Sequence, residues 1–182
     1  NDAKIYLDHT VNEVRRDKNK VIIKIEGKSE KHFDKIIFAC HSNQALRLLK
    51  DSTLDEKNIL GDIQYQENIA TIHTDTNILP RREKAWSSWN YLSTKKSNKV
   101  VLTYNMNILQ SLKSENVFCV TINDPGLIEQ KKIIKIINYS HPLFSKSSLK
   151  AQSNKNLING KNNTFFSGAY WGYGFHEDGV NS

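Results

Sequence analysis

The stretch that decides the reading is the C-terminal run Gly168-Ala169-Tyr170-Trp171-Gly172-Tyr173-Gly174-Phe175-His176-Glu177-Asp178-Gly179-Val180. Half of the chain's 8 glycines fall within it, interleaved with aromatic residues. Glycine lets backbone approach a ligand with no Cβ in the way. Aromatic rings offer flat, rigid contact area. The run follows Thr164-Phe165-Phe166, which reads as a short buried strand. It leads into Glu177-Asp178, acidic residues of the kind favoured in the first turn of a helix. Strand, glycine loop and helix start together present backbone N–H groups to an anion or an electron-rich ring.

The 182 residues suffice for one domain with a real core, or for one domain and a piece of another. Hydrophobic residues make up 38% and charged residues 25%, a globular and somewhat polar balance. The longest apolar runs, such as residues 36–40, are far too short to span a bilayer. Residue 1 is Asn, and no charged region followed by an apolar one opens the chain, so no signal peptide is expected. Cys40 and Cys119 each lie in an apolar, strand-like run and read as buried free thiols of a reducing compartment, the cytoplasm. A Cys40–His41 nucleophile–base pair is disfavoured, because neighbours on a strand point to opposite faces. The formal charge is +7, carried by 21 lysines against 5 arginines. The lysines are scattered, with short pairs such as Lys95-Lys96 and Lys131-Lys132. Base readout leans on arginine's bidentate fork, so this is read as a solvated basic surface and no nucleic-acid partner is expected.

Strands are expected at 4–7, 11–15 and 21–26, with Val21, Ile23 and Ile25 on one face. A nearly continuous apolar stretch, 33–40, is expected to be a buried strand. A helix over 43–50 turns Leu46 and Leu49 to one side. Thr53-Leu54-Asp55-Glu56 forms a capping box for a short helix that Gly61 would end. Further strands are expected at 69–74, 85–92, 100–105, 117–123 and 133–139, with Pro80, Pro125 and Pro142 at or beyond their ends. A helix over 147–157 would turn Leu149 and Leu157 inward. The fold class is α+β, a mixed sheet with flanking helices. The abrupt opening on a strand and the close at Ser182 read as a fragment cut at both ends.

The run at 168–179 resembles the C-terminal flavin-contacting segment of the FAD-dependent amine oxidase and phytoene desaturase-like superfamily. Residues 166–182 are similar to the closing motif of its bacterial "predicted NAD/FAD-binding protein" branch. So are residues 36–49 and 71–89, the latter with Leu79-Pro80-Arg81-Arg82 and the overlapping Ala85-Trp86-Ser87-Ser88-Trp89-Asn90-Tyr91, and His141-Pro142-Leu143-Phe144. The resemblance implies a two-domain FAD-binding oxidoreductase, with a Rossmann-type domain for FAD and a substrate domain over the flavin. The fingerprint Gly-x-Gly-x-x-Gly is absent here. The chain is therefore expected to be the part that follows the N-terminal Rossmann half, inactive and colourless by itself. Residues 1–50 would be a remnant of the FAD domain, 51–160 the substrate domain and 161–182 a return to the FAD domain. An isolated half would expose an apolar face meant for its missing partner and would self-associate.

The same resemblance implies site residues. Val11, in Thr10-Val11-Asn12-Glu13-Val14, matches a valine that touches adenine. Gly168, Tyr170 and Gly174 belong to the flavin-contacting loop. Ala169 stands where an acidic residue usually holds a ribityl hydroxyl. The helix starting near Glu177-Asp178-Gly179-Val180 would aim at flavin N1 and C2=O, with His176 either facing the ring or capping the helix. A lysine near flavin N5 is common in the superfamily, but the matching strand has none, and His73 is offered as its substitute. Tyr170, Trp171 and Tyr173 either wall a substrate cavity or pack the loop. His73, Tyr173 and His176 are thus the candidate catalytic residues, and an apolar or lipid-like small molecule is the expected substrate.

Two other readings stand beside this one. Trp86, Trp89 and Tyr91 on a basic surface would suit a non-enzymatic module for single-stranded nucleic acid. His73 and Asp75 are i, i+2 on one strand face and could both reach a metal, but no third ligand is evident from spacing.

Overall fold

The computed structural model describes residues 3–93 and 99–182, so the Lys95-Lys96 pair lies outside the described residues. In chain order the strands are β1 (Val11–Asp17), β2 (Lys20–Ile25), β3 (Lys31–Phe33), β4 (Ile36–Phe38), β5 (Tyr65–His73), β6 (Trp89–Leu92), β7 (Val101–Asn105), β8 (Cys119–Ile122), β9 (Ile133–Pro142) and β10 (Thr164–Phe166). The helices are α1 (Ser42–Leu48), α2 (Leu54–Gly61), α3 (Met106–Leu109), α4 (Lys146–Ser153) and α5 (His176–Val180). They form an α+β arrangement of two compact units, Asn1–Tyr65 with Pro142–Ser182, and Gln66–His141. Helices α2 and α4 stand in the same unit as the glycine-rich tail.

The first unit holds an antiparallel meander, β1-β2-β3, and a parallel pair, β4 with β10. β1 and β2 send Val14, Val21 and Ile25 inward. Val14 and Val21 meet Leu49, Leu60, Phe38 and Phe166 in one core. Phe38 and Phe166 lie on adjacent parallel strands, and their rings stack at 5.6 Å.

One ion pair ties this unit together. Arg16 on β1 and Glu56 on α2 are 4% and 1% exposed, and Arg16 Nη2 donates to Glu56 Oε2 at 2.8 Å. Glu56 also completes the capping box, accepting the Thr53 N–H at 2.8 Å while its own N–H reaches Thr53 Oγ1. Arg16 Nε is bound by Asp51 at 3.1 Å. Burial alone would raise the Glu56 pKa, but the Arg16 bonds and the Thr53 amide hold it below the ordinary carboxylate value.

Several expectations change. Residues 4–7 form no strand. The stretch 33–40 splits into the end of β3 and the short β4, and only Phe38 is buried; Ile37 is 66% exposed because it lies on the uncovered face of a two-stranded sheet. Cys40, just past β4, is half-buried rather than buried. Residues 85–92 begin in a 3-10 turn, so only Trp89–Leu92 is strand. Gly61 lies inside α2 and the cap is Asp62 in right-handed conformation, so no left-handed glycine stop is used. The helix expected over 147–157 ends at Ser153. Leu149 and Leu157 are 53% and 56% exposed, and Ser148, Ala151 and Ile158 face the core instead.

The second unit is built on a sheet of order β6-β7-β8-β5-β9. Its register sorts residues into two unlike faces. One carries the rows Thr71–Thr121–Thr103–Asn90 and His73–Cys119–Asn105, all buried. The other carries Ile72–Val120–Tyr104–Trp89 and Ala70–Ile122–Leu102–Tyr91; Trp89 and Tyr91 there are exposed, although Ala70 is buried. The polar face is covered by Ile78 and Ile128, which pack with Val101. Its hydroxyls satisfy one another, with Thr103 Oγ1 2.8 Å from Thr121 Oγ1, as buried polar groups require.

Replacing Glu56 by Ala leaves a buried guanidinium short of a partner, a loss of about 3–5 kcal/mol for a broken buried pair. Urea unfolding of Glu56→Ala should show that loss, and an unchanged midpoint would contradict it. Because the folded Glu56 pKa is depressed, its contribution is present above the ordinary carboxylate pKa and is lost as pH falls through the folded value. Glu56→Gln should remove that part of the acid sensitivity.

Candidate functional site

β4 and β10 run parallel, so their carboxyl ends open on the same side. From β4 the chain passes through Cys40 and His41 into α1; from β10 it passes through Ser167 into Gly168. Open parallel sheets place their ligand crevices outside such strand ends. The Ser167 N–H donates to Phe38 O at 2.9 Å and carries the pairing one residue further.

The glycine loop that follows is held on all sides. Gln152 on α4 donates through Nε2 to Tyr170 O and Gly172 O at 2.9 and 2.7 Å. Asp178 on α5 accepts the Tyr173 and Phe175 N–H groups at 3.0 and 2.9 Å. Ser182 Oγ takes the Gly168 N–H at 2.8 Å. The Trp171 indole N–H donates to Phe166 O at 3.0 Å. Two glycines are required by crowding. A Cβ on Gly168 would lie 2.4 Å from the Tyr170 ring, and one on Gly172 would lie 2.4 Å from the Asp178 carboxylate. Gly174 adopts φ +89°, a left-handed conformation that disfavours side chains.

The predicted residues of the tail thus gather in one place, with different exposures. Tyr170 is 4% exposed, and its hydroxyl has no hydrogen-bond partner among the described residues. Burial, with Tyr65 and Cys40 nearby, pushes its pKa well up, so it stays neutral and packs the loop. Trp171 is half-buried, while Tyr173, Phe175, His176, Glu177 and Val180 are exposed. Ala169 is half-buried beside Gly179, whose position for a Cβ lies 3.7 Å from the Ala169 nitrogen. Val11 packs on the core of the same unit. Beneath the loop, the Tyr65 hydroxyl accepts the Ser42 N–H at 2.9 Å, and the Tyr65 ring stacks on His41 at 4.6 Å.

His73 belongs to the other unit. It is fully buried on the polar face. Its Nδ1 accepts the Asp75 N–H at 3.1 Å, and Nε2 therefore donates to Thr121 Oγ1 at 2.8 Å. Burial lowers its pKa despite Asp75 and Asp124. Asp75 is buried too and accepts from Asn77 N, Glu129 N and Lys132 Nζ. Burial raises the Cys119 pKa to about 11, leaving an inert thiol. Of the exposed-aromatic trio, Trp89 and Tyr91 are open, but Trp86 is half-buried with its indole on Pro80 O.

Sequence reading missed Gln152 and Ser182. Both clamp the loop through main-chain groups far away in sequence, and such bonds leave no local pattern. Asp178, expected at the helix start, closes the loop with its side chain.

A flavin fits this surface in part. The first-turn amides of a helix have no acceptor within it, and that turn of α5 is exposed at His176 and Glu177. The Tyr173 and Phe175 amides are occupied by Asp178. Ala169 offers only a methyl group and its backbone to any ligand there.

The chain's fold is similar to part of several solved enzyme structures. The chain is similar to a fatty acid isomerase from P. acnes that produces CLA, with TM-score 0.60 and 14% identity over 95% of this chain and 45% of that one. It is similar to a putrescine oxidase redesigned in its cofactor binding, with TM-score 0.60 and 10% identity over 96% and 46%. Cyclohexylamine oxidase from Brevibacterium oxydans IH-35A gives TM-score 0.57 and 10% identity over 94% and 45%. The chain spans less than half the length of these structures. No protein-family model and no curated protein sequence matches it. Among the described residues no helix is long and apolar enough to cross a membrane.

Asp178→Ala frees the two loop amides and should raise hydrogen exchange at Tyr173 and Phe175 while leaving β10 protected. Equal exchange in both proteins would show that Asp178 does not hold the loop.

Proposed function

We propose that this chain is the C-terminal part of an FAD-dependent oxidoreductase of the amine oxidase and desaturase-like superfamily, in its bacterial "predicted NAD/FAD-binding protein" branch. The observation that carries this reading is the clamped glycine–aromatic loop at the carboxyl ends of the parallel pair β4 and β10. A shared fold with putrescine oxidase and cyclohexylamine oxidase supports it. In the parent, the N-terminal Rossmann half supplies the nucleotide cradle that this chain's sequence lacks.

When bound, FAD supplies the redox chemistry, accepting a substrate hydride at N5. This chain contributes the surroundings. Residues 168–182 would hold the isoalloxazine, with the start of α5 at His176 and Glu177 toward its N1 and C2=O edge. Negative charge near a helix N-terminus is stabilised by about 0.3–1 kcal/mol, enough to tune the cofactor and too little to drive the chemistry. The Ala169 amide or a water would take the place of the carboxylate at ribityl, and Val11 would contact adenine. Exposed Tyr173 is the aromatic of the tail best placed to meet substrate, since Tyr170 is buried. His73 is assigned to the fold of its unit and not to proton transfer, because both ring nitrogens are bound within a buried face.

The unit Gln66–His141 carries the substrate side. Its apolar face, with Trp89, Tyr91, Leu102 and Tyr104, suits an apolar or lipid-like molecule better than a small cation, because these positions bear no carboxylate. The inert Cys119 and half-buried Cys40 suit a reducing, cytoplasmic setting.

The chain joined to its upstream Rossmann half should purify yellow, with flavin absorbance in about one-to-one ratio to protein. The chain alone should be colourless and take up no FAD in equilibrium dialysis. A joined protein that binds no flavin would overturn the reading; tight, stoichiometric flavin on the chain alone would overturn the division of labour between the halves.

A further inference from the structure

The second unit contains a buried histidine whose hydrogen bonds work in one protonation state only. His73 is the terminal residue of β5, paired across to Cys119 on β8. Its Nδ1 accepts the Asp75 N–H at 3.1 Å, so its proton lies on Nε2 and points to Thr121 Oγ1 at 2.8 Å. Thr121 in turn reaches Thr103 at 2.8 Å. The neutral Nε2–H tautomer is thereby built into the polar face.

What the imidazole fixes is a corner. The Asp75 carboxylate accepts the Asn77 N–H at 3.1 Å, the Glu129 N–H at 2.9 Å and Lys132 Nζ at 3.2 Å. The Thr74 N–H donates to Lys132 O at 3.0 Å. These bonds join the stretch around 74–79 to the stretch 128–132, and from them Ile78 and Ile128 descend onto Val101 to cover the polar face. Lys132 also pairs with Glu129 at 3.3 Å. Among the described residues, the charged and titratable groups around His73 are Asp75 and Asp124, which favour its protonation, the neutral Cys119 thiol opposite it, and the Lys132–Glu129 pair beyond Asp75.

We infer that His73 is a proton-sensitive latch: a second ring proton turns Nδ1 from acceptor to donor, sets it against the Asp75 N–H, and releases the Asp75–Lys132 corner from the polar face. Because burial lowers the pKa of the closed form, the closed state is complete above the ordinary histidine value of about 6.5 and weakens as pH falls below it. Uptake of one proton on opening raises the opening constant by up to about tenfold per pH unit in that window.

Amide exchange of the protein, corrected for the intrinsic pH dependence of exchange, tests this at two pH values either side of about 6.5. Protection at Asp75 and Glu129 should fall about tenfold per pH unit of acidification below that value, while Val21 and Phe38 keep theirs. His73→Asn offers an acceptor near the Nδ1 position and does not titrate, so its protection should be flat with pH. Flat protection in the wild type, or the same fall in His73→Asn, would overturn the latch. Should the variant not fold, ring nitrogen shifts of the wild-type histidine decide: a depressed midpoint with Nε2–H at neutral pH supports it, and an Nδ1–H tautomer or a midpoint at or above the ordinary value refutes it.

Discussion

The pairing of β4 with β10 is the contact on which the rest depends. Ile36–Phe38 and Thr164–Phe166 lie far apart in sequence, and everything between them must leave one strand and return to the other. Phe38 and Phe166 stack where the strands meet and anchor the core. Because the strands are parallel, the turn at Cys40 and His41 and the turn at Gly168 emerge together. The Arg16–Glu56 pair supports the same junction from behind, since Arg16 Nη1 also reaches Thr164 Oγ1 at 3.4 Å, at the first residue of β10.

From that junction the tail acquires its rigidity. Its glycines have more than one role. Gly168 and Gly172 make room for the Tyr170 ring and the Asp178 carboxylate, and Gly174 supplies a left-handed turn. The rings are divided in the same way: Tyr170 faces the core, while Tyr173 and Phe175 face outward. A loop clamped at its carbonyls by Gln152 and at its amides by Asp178 presents its outer aromatics on a fixed base. Preorganisation of this kind suits a site that holds a flat cofactor.

Much of this was legible in the residues. The Thr53–Glu56 capping box, the strand around Val21 and the strands around Thr71, Thr103 and Thr121 all carry local signals that the structure keeps. Alternation separates two faces but does not say which one is covered. In the second unit the threonines, Asn90 and His73 are inside, and Trp89 and Tyr91 are outside, the reverse of an ordinary soluble sheet. Leu149 and Leu157 misled because the helix stops at Ser153, and its inward side is set by Ser148 and Ala151. Gln152, Ser182 and Arg16 act across long separations, through bonds that no periodicity announces.

Where the tail lies when a flavin is bound decides whether the proposed role is right. A crystal structure of the longer protein with bound FAD, read at the main chain of Ala169 and His176, measures this most directly. The account predicts those amides within hydrogen-bond reach of the ribityl chain and of the pyrimidine edge of the isoalloxazine. A structure with the Gly168–Val180 segment turned away from the ring would contradict it.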